Sequence, residues 1–213
     1  MSSATLTTIP VGPLQANCYM IHDLDTNLGF IIDPGGDAAE LLDLVGGSGV
    51  KLEAILITHG HSDHLAATAE IAAATGAKVY GSDEVSHVLL SPDNHMMFPG
   101  LPSFNPYEVD HVISADEDFI ITGMEVSAIS TPGHTPGAVT YYTMDGLFCG
   151  DLLFSGSIGR TDLPGGSFEQ LAASVRKLAM RFKPETVVYP GHGVATTLLR
   201  EQENNPFLAD LGW

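Results

Sequence analysis

The sequence predicts an α/β protein built in packed layers, and three observations carry that prediction. Short apolar runs of strand length alternate along the chain with segments of helical period. The clearest helical segment is capped by Ser167 with Gln170 and repeats apolar residues at Phe168, Leu171, Val175, Leu178 and Phe182. Several strand-like runs also end in a loop rich in Gly or Pro that carries a histidine or an aspartate. Such loops let the backbone approach closely while the scaffold holds them still.

Taken in order, strand-like runs occupy residues 6–11, 17–23, 29–33, 54–58, 78–81, 119–122, 124–129, 138–143, 147–150 and 186–189. Asp37 with Glu40 forms a capping-box pattern for a helix ending near Gly46. Residues 66–75 read as an alanine-rich helix stopped by Gly76, with small side chains suited to close packing beneath the loop that precedes it. The stripe on the Ser167 helix reads as core, and Lys183-Pro184 ends that helix because proline cannot continue it. Two stretches resist assignment. Residues 91–110 hold four prolines with no periodicity, a long loop that either covers a site or docks on the surface through its own apolar residues. Residues 155–166 are glycine-rich and follow Asp151 directly.

At 213 residues the chain is expected to form one domain over 1–213, with no linker dividing it. Its 44% hydrophobic content is spread over short segments, none long enough to cross a membrane. No basic residue precedes Lys51, so no secretory signal is expected. Cys18 and Cys149 read as reduced, buried residues of a cytoplasmic protein. The formal net charge of −18 argues against nucleic acid or an anionic membrane surface as partner. It would also slow anionic small molecules unless the pocket itself is locally positive.

The chemistry concentrates at the strand ends. Thr58-His59-Gly60-His61-Ser62-Asp63-His64 follows the apolar run of residues 54–57 and offers four metal-ligand side chains within six residues. His59 and His61 lie two apart, so an extended loop points both the same way. Asp63 and His64 are adjacent, so they diverge and can face a second position. His134 lies in Thr131-Pro132-Gly133-His134-Thr135-Pro136-Gly137, Asp151 follows Gly150, and His192 lies in Pro190-Gly191-His192-Gly193. Five of the nine histidines are thereby placed at strand ends, whereas His22, His87, His95 and His111 fit no such pattern.

The order His-x-His-x-Asp-His, then His, Asp and His, resembles the signature of metallo-β-lactamase-fold hydrolases. Within that superfamily the chain is most similar to the glyoxalase II (hydroxyacylglutathione hydrolase) branch, in its short single-domain bacterial form. The supporting segments run nearly end to end: Asn17-Cys18-Tyr19, Asp33-Pro34-Gly35-Gly36-Asp37, the motif from His59 to His64, the loop around His134, and Gly150-Asp151. Gly156-Ser157-Ile158-Gly159-Arg160-Thr161-Asp162 and Pro190-Gly191-His192-Gly193 complete them.

The resemblance implies a four-layer αββα sandwich, two mixed sheets flanked by helices, with metals at one edge between the sheets. It implies two divalent ions, zinc first, with iron or manganese as the other choices. His59, His61 and His134 would hold one ion and Asp63, His64 and His192 the other, with Asp151 bridging. A hydroxide between the ions would attack a small-molecule thioester such as S-lactoylglutathione, with Asp63 and Asp151 as the catalytic carboxylates. Two-domain members bind glutathione partly through a C-terminal helical domain, and no such domain follows His192 in this sequence. Arg160 and Thr161 are therefore the candidate substrate contacts, although Arg160 is equally suited to an ion pair with Asp162.

One rival shares the same motifs. Persulfide dioxygenases bind a single iron through the equivalents of His59, His134 and Asp151. Against them, the Ser157–Arg160 context and the His192 loop favour the hydrolase. Aspartate at Asp151 disfavours relatives with a thiolate ligand, and His61 disfavours flavodiiron relatives. A lactonase or other esterase, or a metal-holding module without catalysis, is the remaining expectation.

Overall fold

Two six-stranded mixed sheets make up most of the structure, a computed structural model that describes residues 3–91 and 104–208. The first holds β1 (Ala4–Val11), β2 (Ala16–Asp23), β3 (Leu28–Ile32), β4 (Lys51–Leu56), β5 (Lys78–Ser82) and β6 (His111–Ile113), neighbours in space as in sequence. Tight turns make β1, β2 and β3 antiparallel. From β3 onward the strands are parallel, because each return crosses through helix. These crossings are α1 (Ala38–Ser48), then α2 (Ser62–Leu65) with α3 (Thr68–Thr75), then α4 (Asp83–Leu90).

The second sheet begins with β7 (Glu117–Ile121), β8 (Met124–Ser130), β9 (Val139–Thr143) and β10 (Gly146–Gly150), an antiparallel meander. A small hairpin of β11 (Leu153–Phe154) and β12 (Ser157–Ile158) follows, then α5 (Phe168–Arg181). That helix returns the chain so that β13 (Val187–Pro190) lies parallel to β10, with β14 (Thr196–Thr197) at the edge and α6 (Leu198–Asn204) after it.

Strand alternation explains why β2 is buried along its whole length. Tyr19 and Ile21 join Phe30, Ile32, Ala54 and Leu56 against Val126, Ala128, Val139, Tyr141 and Phe148 of the other sheet. Cys18, Met20, Ile31 and Ile55 turn the other way, onto Leu41, Val45, Ile71, Val85 and Leu89 of the flanking helices. On the second sheet Leu147 and Cys149 pack with Leu171, Val175 and Leu178 of α5. The fold is thus two mixed sheets flanked by helices, the layering that the resemblance implies.

Every strand expected from the sequence is present, with ends displaced by a few residues. The sequence reading missed β6, β11, β12, β14, α2, α4 and α6, elements too short to show a period of their own. Three further expectations are corrected. Asp37 does not cap α1: its backbone is left-handed at φ 51° and its side chain accepts from the Gly12 N–H at 2.7 Å. Phe168 is not core; at the first residue of α5 it is 46% exposed, while Leu171, Val175 and Leu178 carry the buried stripe. The helix read over residues 66–75 begins only at Thr68.

Ser167 does cap α5, accepting the Gln170 N–H at 3.3 Å, and Gly76 closes α3 in the left-handed conformation. Most of the loop at residues 91–110 lies outside the described residues. Its described end packs Phe104 and Val109 into the helix-side core. Among the described residues no helix is long and apolar enough to cross a membrane.

Candidate metal centre

Five loops converge at one edge of the sandwich, after β3, β4, β8, β10 and β13. The two sheets are tied together there: the Val139 N–H donates to Thr58 O at 2.8 Å, and Tyr141 Oη–H donates to Ile57 O at 2.9 Å. The β2 end is tied in as well. Asn17 donates its backbone N–H to Gly191 O and its side-chain amide to Pro190 O and Gly193 O, at 2.7, 3.0 and 2.9 Å. The loop of His192 is therefore strapped on both sides of the histidine.

Three imidazoles meet in the first donor group. His61 Nδ1 lies 3.2 Å from His59 Nε2 and 2.9 Å from His134 Nε2. Asp63, His64 and His192 form the second, where Asp63 Oδ2 lies 3.2 Å from His192 Nε2 and 3.5 Å from His64 Nε2. Asp151 faces both groups: its Oδ2 is 3.6 Å from His134 Nε2 and 3.7 Å from His192 Nε2, and its Oδ1 is 3.4 Å from His64 Nε2.

The outward nitrogens are fixed by other partners. His64 Nδ1 donates to Asp33 Oδ2 at 2.9 Å, His134 Nδ1 to Arg160 O at 2.7 Å, and His192 Nδ1 to Leu14 O at 3.2 Å. These bonds fix the orientation of each ring and point its Nε2 at the group. Glycine is needed where the loops touch: a Cβ at Gly191 would overlap Asp151 Oδ1 and come within 2.7 Å of His64 Cε1.

The two groups differ in electrostatics. Burial, reinforced by the neighbouring imidazoles, holds His59 well below the usual histidine value and lowers His61 to about 4. Both rings are therefore neutral lone-pair donors at neutral pH. Burial opposes charge on His64 too, but Asp151, Asp33 and Asp63 outweigh it and raise that ring to about 10. Burial works against Asp63 as an anion, yet the His192 hydrogen bond and the His64 charge bring its carboxyl down to about 2.

This donor set fits divalent metal ions. Imidazole nitrogens and carboxylates are the ligand chemistry of zinc, iron and manganese. Two buried atoms that face one another, His64 Nε2 and Asp151 Oδ1, have no hydrogen-bond partner. Leaving such atoms unpaired is costly unless something else engages them.

All seven side chains singled out by spacing are brought together. Arg160 joins them through its backbone carbonyl; its guanidinium forms a two-pronged ion pair with Asp162 at 2.8 and 2.9 Å. Thr161 follows it, half-buried. Cys149 stays outside the donor groups, a buried thiol pushed up to about 12 by burial. The sequence reading missed Asp33 as a functional residue. Held at φ 54°, it accepts from Thr58 N at 2.7 Å, Thr58 Oγ1 at 2.6 Å and His64. The signal was present, since Asp33 follows a strand and precedes Pro34-Gly35-Gly36, as the other site residues follow strands and sit beside glycine.

Residues 11–192 match the family described as the metallo-beta-lactamase superfamily. Over its length the chain is similar to hydroxyacylglutathione hydrolase GloC of Haemophilus influenzae, 35% identical across 94% of this chain and 96% of the relative. Among solved structures, BLEG-1 B3 metallo-beta-lactamase superposes with a TM-score of 0.90 at 36% identity, covering 96% of this chain and 99% of that one. TTHA1623 in a di-iron-bound form gives a TM-score of 0.78 at 34% identity, covering 95% and 100%.

Proposed function

Because the chain belongs to the metallo-beta-lactamase superfamily, we propose that it is a metal-dependent thioester hydrolase of the glyoxalase II kind. Its reaction would convert S-lactoylglutathione to glutathione and lactate. The observation that carries this reading is the convergence of two donor groups on one carboxylate, Asp151. The choice of a thioester is supported by the full-length similarity to GloC.

In this reading His59, His61 and His134 would hold one ion and Asp63, His64 and His192 the other, with Asp151 placed to serve both. Zinc is the expected ion, with iron or manganese as alternatives; the di-iron form of TTHA1623 supports iron as one of these. When bound, such ions supply a water that deprotonates near neutral pH and polarise the substrate carbonyl. The chain's residues do the rest. Asp33, Arg160 O and Leu14 O hold His64, His134 and His192 in single orientations. Asp63 and Asp151 would accept hydrogen bonds from the attacking water and orient it. Arg160 exchanges Asp162 for a carboxylate of the substrate, and Thr161 lies against the same ligand. A low-pKa thiolate leaves readily, so no covalent intermediate on the protein is needed. The free, buried cysteines support a cytoplasmic setting, and the charge of −18 supports a small-molecule partner over nucleic acid or membrane.

A second reading, hydrolysis of a β-lactam amide, is favoured by one observation, the likeness to BLEG-1. One experiment separates the readings: hydrolysis of S-lactoylglutathione and of a chromogenic β-lactam by one preparation whose metals have been counted. Thioester turnover with about two metals per chain supports the proposal. Turnover of the β-lactam alone replaces it. Turnover of neither, with a single iron bound, moves the reading to the persulfide dioxygenase.

A further inference from the structure

Glu84, in the first turn of α4, joins the two loops that carry His59, His61 and His134. Its Oε2 accepts the Thr135 Oγ1–H at 2.6 Å and the Gly137 N–H at 2.9 Å, just beyond His134. The same side chain stands over Gly60, which separates His59 from His61. A Cβ at Gly60 would lie 3.3 Å from Glu84 Cγ and 3.0 Å from Val88 Cγ2. One at Gly137 would lie 2.6 Å from Glu84 Cβ and 2.7 Å from Ser82 Oγ, so the start of α4 is pressed against the His134 loop too.

The helix is a firm base for this contact. Ser82 caps it by accepting the Val85 N–H at 3.4 Å, and Val85, Val88 and Leu89 are buried. A carboxylate suits the task, because hydrogen bonds to an ionised acceptor are shorter and about twice as strong as neutral ones. A hydroxyl and a backbone N–H received by one such oxygen leave the loop little freedom.

We infer that Glu84 is a positioning residue of the metal centre, holding the His134 loop in register with His59 and His61. It acts through its hydrogen bonds to Thr135 and Gly137 and through its packing over Gly60. The inference rests on the metal-centre reading above and adds a support that the ligand motif does not contain.

The test compares wild type, Glu84→Ala, Glu84→Gln and Thr135→Val, each stripped of metal and titrated with Co2+. Affinity and the visible absorption of the bound cobalt are followed, with thermal unfolding of the stripped proteins measured alongside. Glu84→Ala should weaken Co2+ uptake by the three-histidine group about 10–100-fold, the usual loss for a partner that orients ligands. It should also change the cobalt spectrum. Glu84→Gln, which keeps an acceptor oxygen, should stay near wild type. Thr135→Val removes one of the two donors and should shift affinity in the same direction by less. Glu84→Ala with wild-type affinity and spectrum would overturn the inference, whatever its melting temperature. Should Glu84→Ala fail to fold, an unaltered Thr135→Val overturns it instead. A wild type that takes up no Co2+ ends both this inference and the metal-centre reading, whereas normal uptake unaffected by the substitutions ends this inference alone.

Discussion

His64 donates from Nδ1 to Asp33 Oδ2 across 2.9 Å, and neither side chain has more than 3% of its surface exposed. Asp33 is itself gripped by Thr58 through both N–H and Oγ1–H. The consequence is a ring whose only free nitrogen, Nε2, is directed at Asp63 and Asp151. Asp33→Asn keeps the size and tolerates the left-handed backbone but removes the charge. Zinc affinity should fall about 10–100-fold with the fold intact by circular dichroism. Unchanged affinity would show that Asp33 serves only the backbone.

Asp63 and His192 define the second donor group. Asp63→Ala or His192→Ala should reduce bound metal from about two per chain to one and lower thioester turnover by orders of magnitude. Metal counting and initial rates on the same sample check this; full activity in both variants would sink the two-metal mechanism.

Gly191 has no room for a side chain beside Asp151 and His64. Gly191→Ala should therefore displace the carboxylate, with loss of metal and activity but retained β-sheet signal. Wild-type metal content would mean that the loop yields without cost.

Arg160 pairs with Asp162 at the surface. Exposed pairs contribute little to stability. Arg160→Ala should leave the melting temperature unchanged and raise KM for S-lactoylglutathione severalfold with kcat preserved. A lower melting temperature with unaltered kinetics would instead assign the residue a structural role.

Asp110 ties the approach to β6 onto β5, accepting from Lys78 Nζ at 2.7 Å, Val79 N at 3.0 Å and Tyr107 Oη at 3.3 Å. Burial opposes its charge, but the Lys78 and Val79 hydrogen bonds outweigh burial and hold its pKa below the ordinary value. A depressed folded-state pKa gives stability that is fully present above the unfolded value of about 3.9 and is lost as pH falls through the folded one. Asp110→Asn should thus melt lower than wild type at pH 7, and the gap should close in acid below that value. A gap independent of pH would rule out the charge as its source.

The site was more legible than the fold's smaller parts. His59, His61, Asp63 and His64 announce themselves by spacing within one loop, because a strand end fixes which way neighbouring side chains point. His134, Asp151 and His192 are legible through the strand–glycine grammar around them. Asp33 shares that grammar, yet its role is readable only once His64 and Thr58 are seen against it. Glu84 carries no sequence signal at all, since an acid in the first turn of a helix is ordinary. α4 and α6 were hidden for a related reason: 8 and 7 residues are too few to establish a helical period.

By itself the sequence determined the alternation of strands and helices, the seven donor side chains and the loops that carry them. These follow from local rules: periodicity, turn chemistry and ligand spacing act over a few residues. The grouping of the donors and the place of Asp151 between them were implied by the resemblance, whereas the tertiary structure alone decided that Asp33, Leu14 O and Arg160 O hold the rings. Those relationships join residues as far apart as Leu14 and His192. Such pairings depend on two sheets packing face to face and on parallel crossovers, and that geometry arises only when the whole core closes.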